Sequence, residues 1–134
     1  MGRVFFNTRK NIHALDGAYT MLASDSGKTF MLSATGGTVA ITLPTTLEEG
    51  LHYKFVTLED TPSNAITIAA GSSIIDMVHK DAGGDASNST AGTAVSNIIV
   101  GTSSTQGDVI NLFTDGTTWY GEVLSGINNA ITTS

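Results

Sequence analysis

Apolar residues along this chain recur with period two in short runs, and turn residues separate the runs. "TFMLSA" (29–34) is followed by Gly36-Gly37 and then "TVAITLP" (38–44). In the second run Val39, Ile41 and Leu43 share one side, the pattern of a half-buried strand, and Pro44 ends its ladder. Gly-Gly between two apolar runs predicts a hairpin, because both central positions of a type I′ turn need positive φ. "TTLEEG" (45–50) predicts one helical turn, with Thr45 or Thr46 as cap, Glu48 or Glu49 in capping-box position and Gly50 closing it. Strands follow over "YKFVTL" (53–58), "AITIAAG" (65–71) and "SIIDMV" (73–78). Residues 79–96 are small and polar without periodicity, and they predict a long loop. "NIIVG" (97–101) resumes strand. "DVINLFT" (108–114) and "TTWYGEVL" (117–124) flank Asp115-Gly116, a hairpin signal of the type I′ kind. Trp119 and Tyr120 alternate there, so one should enter the core and the other face out. The tail "SGINNAITTS" has too little apolar surface to predict an element.

These seven or eight short strands predict an all-β fold, a small and largely antiparallel β-sandwich or barrel with an extended N-terminal arm. The expected division is an arm over 1–18, a sandwich over 19–124 and a C-terminal tail over 125–134. "VAITL" and "NAITI" echo each other twenty-five residues apart, which shared strand chemistry explains without a true repeat.

Composition narrows the classes. At 134 residues the chain fits one domain. Abundant Thr favours strands and abundant Gly favours turns. The absence of cysteine removes disulfides, thiolate metal sites and a Cys nucleophile together. No apolar run approaches a membrane span, and the N-terminus lacks the apolar stretch of a signal peptide. Net charge is −6, unevenly placed. Arg3, Arg9 and Lys10 give the first fifteen residues +3, and the remainder carries −9. An acidic body disfavours nucleic acid, because phosphates need a basic surface.

Candidate chemistry is thin. Gly27-Lys28-Thr29 has the end of a phosphate-binding loop, but that motif needs a Gly where Leu22 stands and a helix where Phe30-Met31-Leu32 predicts strand. Asp25-Ser26-Gly27 reads as a turn and Lys28 as a solvated residue entering a strand. No G-x-S-x-G elbow occurs, and His13, His52 and His79 are scattered. The pairs Glu48-Glu49 and Glu59-Asp60 fall in turns, where acids are common because turns are wet. Asp81 and Asp85 lack the spacing of a calcium loop, and Asn88-Ser89-Thr90 is a sequon that so polar a loop produces by chance. No catalytic residue, cofactor or metal is therefore expected. The remaining signals concern assembly. Phe5 and Phe6 sit in an arm that cannot bury them alone, and with Arg3, Arg9 and Lys10 they are the candidate residues for docking on a neighbouring subunit or a larger surface.

"DSGKTFML" leading into "TVAITLP", then "EGLHYKFV", "AITIAAGSSI" and "GDVINLFTDGTTWY", resembles small β-sandwich domains in structural proteins of tailed bacteriophages. The resemblance covers about residues 24 to 121. Such domains occur in tail fibres and in head decoration (cement) proteins, and the chain's length, from its own Met, suits the second. The resemblance implies a homotrimer on the outer capsid surface of the virion, made in the host cytoplasm, that bridges neighbouring major capsid proteins. It implies no enzyme activity, no nucleic-acid partner and no membrane partner. The alternative is a receptor- or carbohydrate-binding module of a tail fibre.

Overall fold

The computed structural model describes residues 11–71, 75–80 and 89–134. Among these, twelve strands form two packed sheets. They are β1 (Ile12–Leu15), β2 (Tyr19–Thr20), β3 (Thr29–Leu32), β4 (Val39–Thr42), β5 (His52–Thr57), β6 (Ile66–Ala69), β7 (Ile75–Lys80), β8 (Ser89–Val95), β9 (Asn97–Val100), β10 (Val109–Thr114), β11 (Trp119–Leu124) and β12 (Ile131–Thr133). One sheet has seven strands in the order β1-β3-β5-β10-β11-β7-β8. The other has five, β12-β9-β6-β4-β2. The β-sandwich expected from the alternation is the fold. No helix among the described residues is long and apolar enough to cross a membrane.

The topology is mixed and not largely antiparallel as expected. Through β6 the chain changes sheet at every step. Strands β1, β3 and β5 therefore stack in parallel in one sheet, and β2, β4 and β6 in the other. Strands β9 to β11 then close both sheets with antiparallel pairs. Gly36-Gly37 consequently forms an arch between sheets, not a hairpin. Neither glycine has the positive φ that a type I′ turn needs. Side chains take over the backbone groups at the end of β3: Ala34 N donates to Glu59 Oε2 (3.3 Å), Asn64 Nδ2 donates to Ala34 O (2.9 Å), and Ser33 Oγ donates to Glu59 Oε1. Phe30, Leu32 and Ala34 then face Val39, Ile41 and Leu43 across the sandwich.

The echoing segments do lie side by side, as parallel β4 and β6. Their register pairs Val39 with Ile66 and Ile41 with Ile68, two residues off the sequence alignment. The shift is even, so the same faces stay buried.

Five further expectations change. Residues 12–15, assigned to the arm, form the edge strand β1. Half of the expected 79–96 loop is strand: residues 79–80 end β7, and β8 pairs antiparallel with it. The tail supplies β12, with Ala130 and Ile131 buried and Ile131 opposite Val100. Residues 45–50 hold no helical turn; Leu51 N bonds Glu48 O around Gly50 at φ +89°. The Asp115-Gly116 hairpin forms, but only Gly116 has positive φ (+95°), so the turn is not type I′.

The core is one cluster. Trp119 packs on Tyr53 (centroids 5.7 Å apart) and Phe30 on Phe55 (5.7 Å), while Tyr120 faces out. Lys28 is only partly solvated, with its side chain 28% exposed. Its ammonium meets the buried Asp25 carboxylate at 2.7 Å.

Candidate interaction surface

Strand alternation and register decide what each sheet shows outward. On the five-stranded sheet one row is Thr20, Thr42, Ala69 and Asn97, and the next is Ala40, Thr67, Ile99 and Thr132. Ile99 is the one large apolar side chain in these rows. The seven-stranded sheet differs. From β1 to β7 one outward row reads Ala14, Met31, Val56, Val109, Leu124 and Lys80, and a second reads Ile12, Thr29, Lys54, Asn111, Glu122 and Val78. A third, on four strands, reads His52, Phe113, Tyr120 and Asp76. Ile12 is 62% exposed, Val78 57%, Phe113 55% and Leu124 45%. Single exposed apolar residues are ordinary; these four share one face, which makes it the candidate contact surface.

Phe113 and Tyr120 form the aromatic centre of the third row. Their rings stack with centroids 5.4 Å apart and planes 24° apart. The adjoining turn fixes this platform. Asp115 Oδ1 accepts from Thr117 N (2.8 Å), Thr117 Oγ1 (2.8 Å) and Thr118 N (2.9 Å), and Tyr120 Oη donates to Asp115 Oδ2 (3.2 Å). The backbone donors of Thr118 and Thr117 lead in holding the Asp115 carboxyl down at about 2. The same hydrogen bond to Asp115 raises the Tyr120 phenol. A cleft of about 310 Å³ opens beside the platform, lined among others by Thr29, His52, Lys54, Asn111 and Phe113.

The other acids and histidines do not converge on chemistry. No group of three or more potential metal-ligating side chains occurs among the described residues. Asp25 accepts from Tyr19 Oη (3.0 Å), Leu22 N (3.0 Å) and Lys28 Nζ (2.7 Å). Burial alone would raise its pKa, but the bonds from Lys28, Leu22 and Tyr19 outweigh burial and lower it. Burial, then the charges of Asp25 and Glu48, push neighbouring Tyr53 up to about 12. A second cleft, about 340 Å³, contains Asp108, whose carboxylate is taken up by Thr105 N, Thr105 Oγ1, Ser125 Oγ and Gly126 N within 3.0 Å. Glu59 ties the arch and Asp60 accepts from Gln106 N (2.7 Å). His13 stacks on Phe30 inside β1, and His52 lies on the outer face. Asp81, Asp85 and Asn88 lie outside the described residues.

The candidate binding residues Arg3, Phe5, Phe6, Arg9 and Lys10 also lie outside the described residues. What the sequence did not bring forward is the outer face of the seven-stranded sheet. Its signal was present in "DVINLFT". With Ile110 and Leu112 inward, alternation puts Phe113 outward, next to the outward member of the Trp119-Tyr120 pair. No protein-family model and no curated protein sequence matches the chain.

Proposed function

We propose that this protein is a structural component of a tailed-phage virion, a decoration protein that binds the outer capsid surface as a trimer and stabilises the head by bridging major capsid proteins. The observation that carries the reading is the asymmetry of the sandwich. One sheet shows solvent a small polar face. The other shows a broad face with Ile12, Val78, Phe113 and Leu124 exposed. The acids that could serve chemistry are instead engaged in turns and arches. Such a protein works by contact area and copy number. Three linked copies multiply a weak contact into avidity, because the second and third contacts form at high effective concentration. Adding the purified chain to undecorated expanded capsids tests this, with saturable co-sedimentation expected.

The second reading is a receptor- or carbohydrate-binding module of a tail fibre. The exposed Phe113–Tyr120 stack favours it, since an aromatic face with His52 and Asn111 nearby can stack on a sugar ring and bond its hydroxyls. A glycan screen with Phe113→Ala as control separates the two readings.

A further inference from the structure

β10 is the central strand of the seven-stranded sheet, with β5 on one side of it and β11 on the other. The register sets three levels across these strands on the outer face. At the middle level Asn111 stands between Lys54 on β5 and Glu122 on β11. At a second level Val109 stands between Val56 and Leu124, and at a third Phe113 stands between His52 and Tyr120. A cation and an anion thus flank the centre line at one height, each one strand away, with an uncharged amide between them. Lys54 and Glu122 are both exposed. Among the described residues neither side chain has a hydrogen-bond or ion-pair partner; the ion pair found there is Lys28 with Asp25.

Rotation about an axis parallel to β10 keeps height along the strand and exchanges one flank for the other. Two copies brought face to face in this way set β5 of one over β11 of the other, level by level. Lys54 then meets Glu122 on both sides, Val56 meets Leu124, His52 meets Tyr120, and β10 meets its own copy. A two-fold axis across the strands at the middle level would instead set Lys54 against Lys54 and Glu122 against Glu122, which is repulsive. We propose that copies of this chain meet each other through this face, about an axis along β10, with Lys54 of one copy against Glu122 of the next. The same pairing of opposite flanks closes a ring of three. The other charges stand at the rim. Lys80 and Asp76 lie at opposite ends of the described part of β7, and Asp76 Oδ1 already accepts from Ala94 N (2.9 Å). Under the same rotation Lys80 falls over Met31, whose apolar body its stem can cover while the ammonium stays in water. The size fits as well. At about 3.3 Å per residue and about 4.8 Å between strands, β1 to β7 cover about 500 Å², so two copies bury about 1,000 Å², the size at which specific association begins. The inference supplies the contact that a trimer needs, but it rests on the face alone.

The test is sedimentation of the full chain from micromolar to millimolar concentration. Lys54→Glu and Glu122→Lys each put like charges together, and each should raise the concentration for half association at least about tenfold. The double exchange should restore association, which keeps the test independent of any damage that either substitution does alone. Thr67→Glu on the other sheet should leave association unchanged. A wild-type chain that stays monomeric at millimolar concentration overturns the inference. So does an assembly that ignores both single exchanges, that the double exchange fails to restore, or that Thr67→Glu weakens equally. The outcome is separable from the particle reading. An assembly that follows the charge exchanges but never binds capsids supports this inference and removes that reading, and a trimer that binds capsids yet ignores the exchanges does the reverse.

Discussion

Asp25 is a buried carboxylate with three donors, and it joins β2 to β3 through Tyr19 and Lys28. Asp25→Ala leaves Tyr19 Oη, the Leu22 N–H and the Lys28 ammonium without their acceptor, and it should cost about 2–3 kcal/mol. Lys28→Met should cost less, about 1 kcal/mol, because Asp25 keeps two donors. Urea unfolding of both variants checks the order. Acid adds a second residue-scale prediction. Asp115 has its carboxyl lowered from 3.8 to about 2, and Asp25 is lowered as well. Below the ordinary carboxylate pKa the unfolded chain takes up protons that the folded chain refuses. The stabilisation from both groups is therefore present above about pH 4; the Asp115 part is lost as pH falls towards 2, and the Asp25 part as pH falls through its own lowered value. The difference in urea midpoint between wild type and Asp115→Ala should shrink over that interval, and a constant difference would remove Asp115 from the account. Little of this was legible in the sequence. Asp25 and Lys28 stood in a string that suggested a phosphate loop, and nothing local says that the carboxylate is buried.

At the scale of elements, the arch and the hairpin make opposite predictions for glycine. Gly37 has no positive φ, and an added Cβ meets nothing within 4 Å, so Gly37→Ala should be neutral or gain about 0.5 kcal/mol by restricting the unfolded chain. Gly116 sits at φ +95° with Glu49 N 3.4 Å from a built Cβ, so Gly116→Ala should cost about 1–2 kcal/mol. Thermal unfolding of both separates the arch from the type I′ turn that Gly-Gly suggested. Ile131→Ala should cost about 2–4 kcal/mol because β12 buries that side chain. Alternation fixed which side of β3, β4, β5, β6 and β10 is buried, because period two needs no partner to be read. It could not say which sheet receives a strand, since Phe30 and Val39 bury equally well beside or opposite each other. β8 and β12 were invisible for another reason. "STAGTAV" has no large apolar residue to set a period, and "ITT" depends on one isoleucine and on pairing with β9.

At the scale of the whole molecule, the two faces of the sandwich divide the labour. The polar face of the five-stranded sheet can remain in solvent, and the outer face of the seven-stranded sheet is the contact surface that the proposed function requires. Phe113→Ser, at a half-exposed position, should change stability by less than about 1 kcal/mol while weakening particle binding severalfold. The structure also sets the boundary for removing the N-terminal segment. Asn11 and Ile12 belong to the sheet through β1, so deletion of residues 2–10 should leave the sandwich folded and still weaken attachment. The most direct measurement of the central claim is binding of the full-length chain to undecorated expanded capsids, with its mass in solution determined on the same preparation. The account predicts a trimer that co-sediments saturably with the capsids and raises the temperature at which they rupture. A monomer that stays in the supernatant at saturating concentration would contradict it.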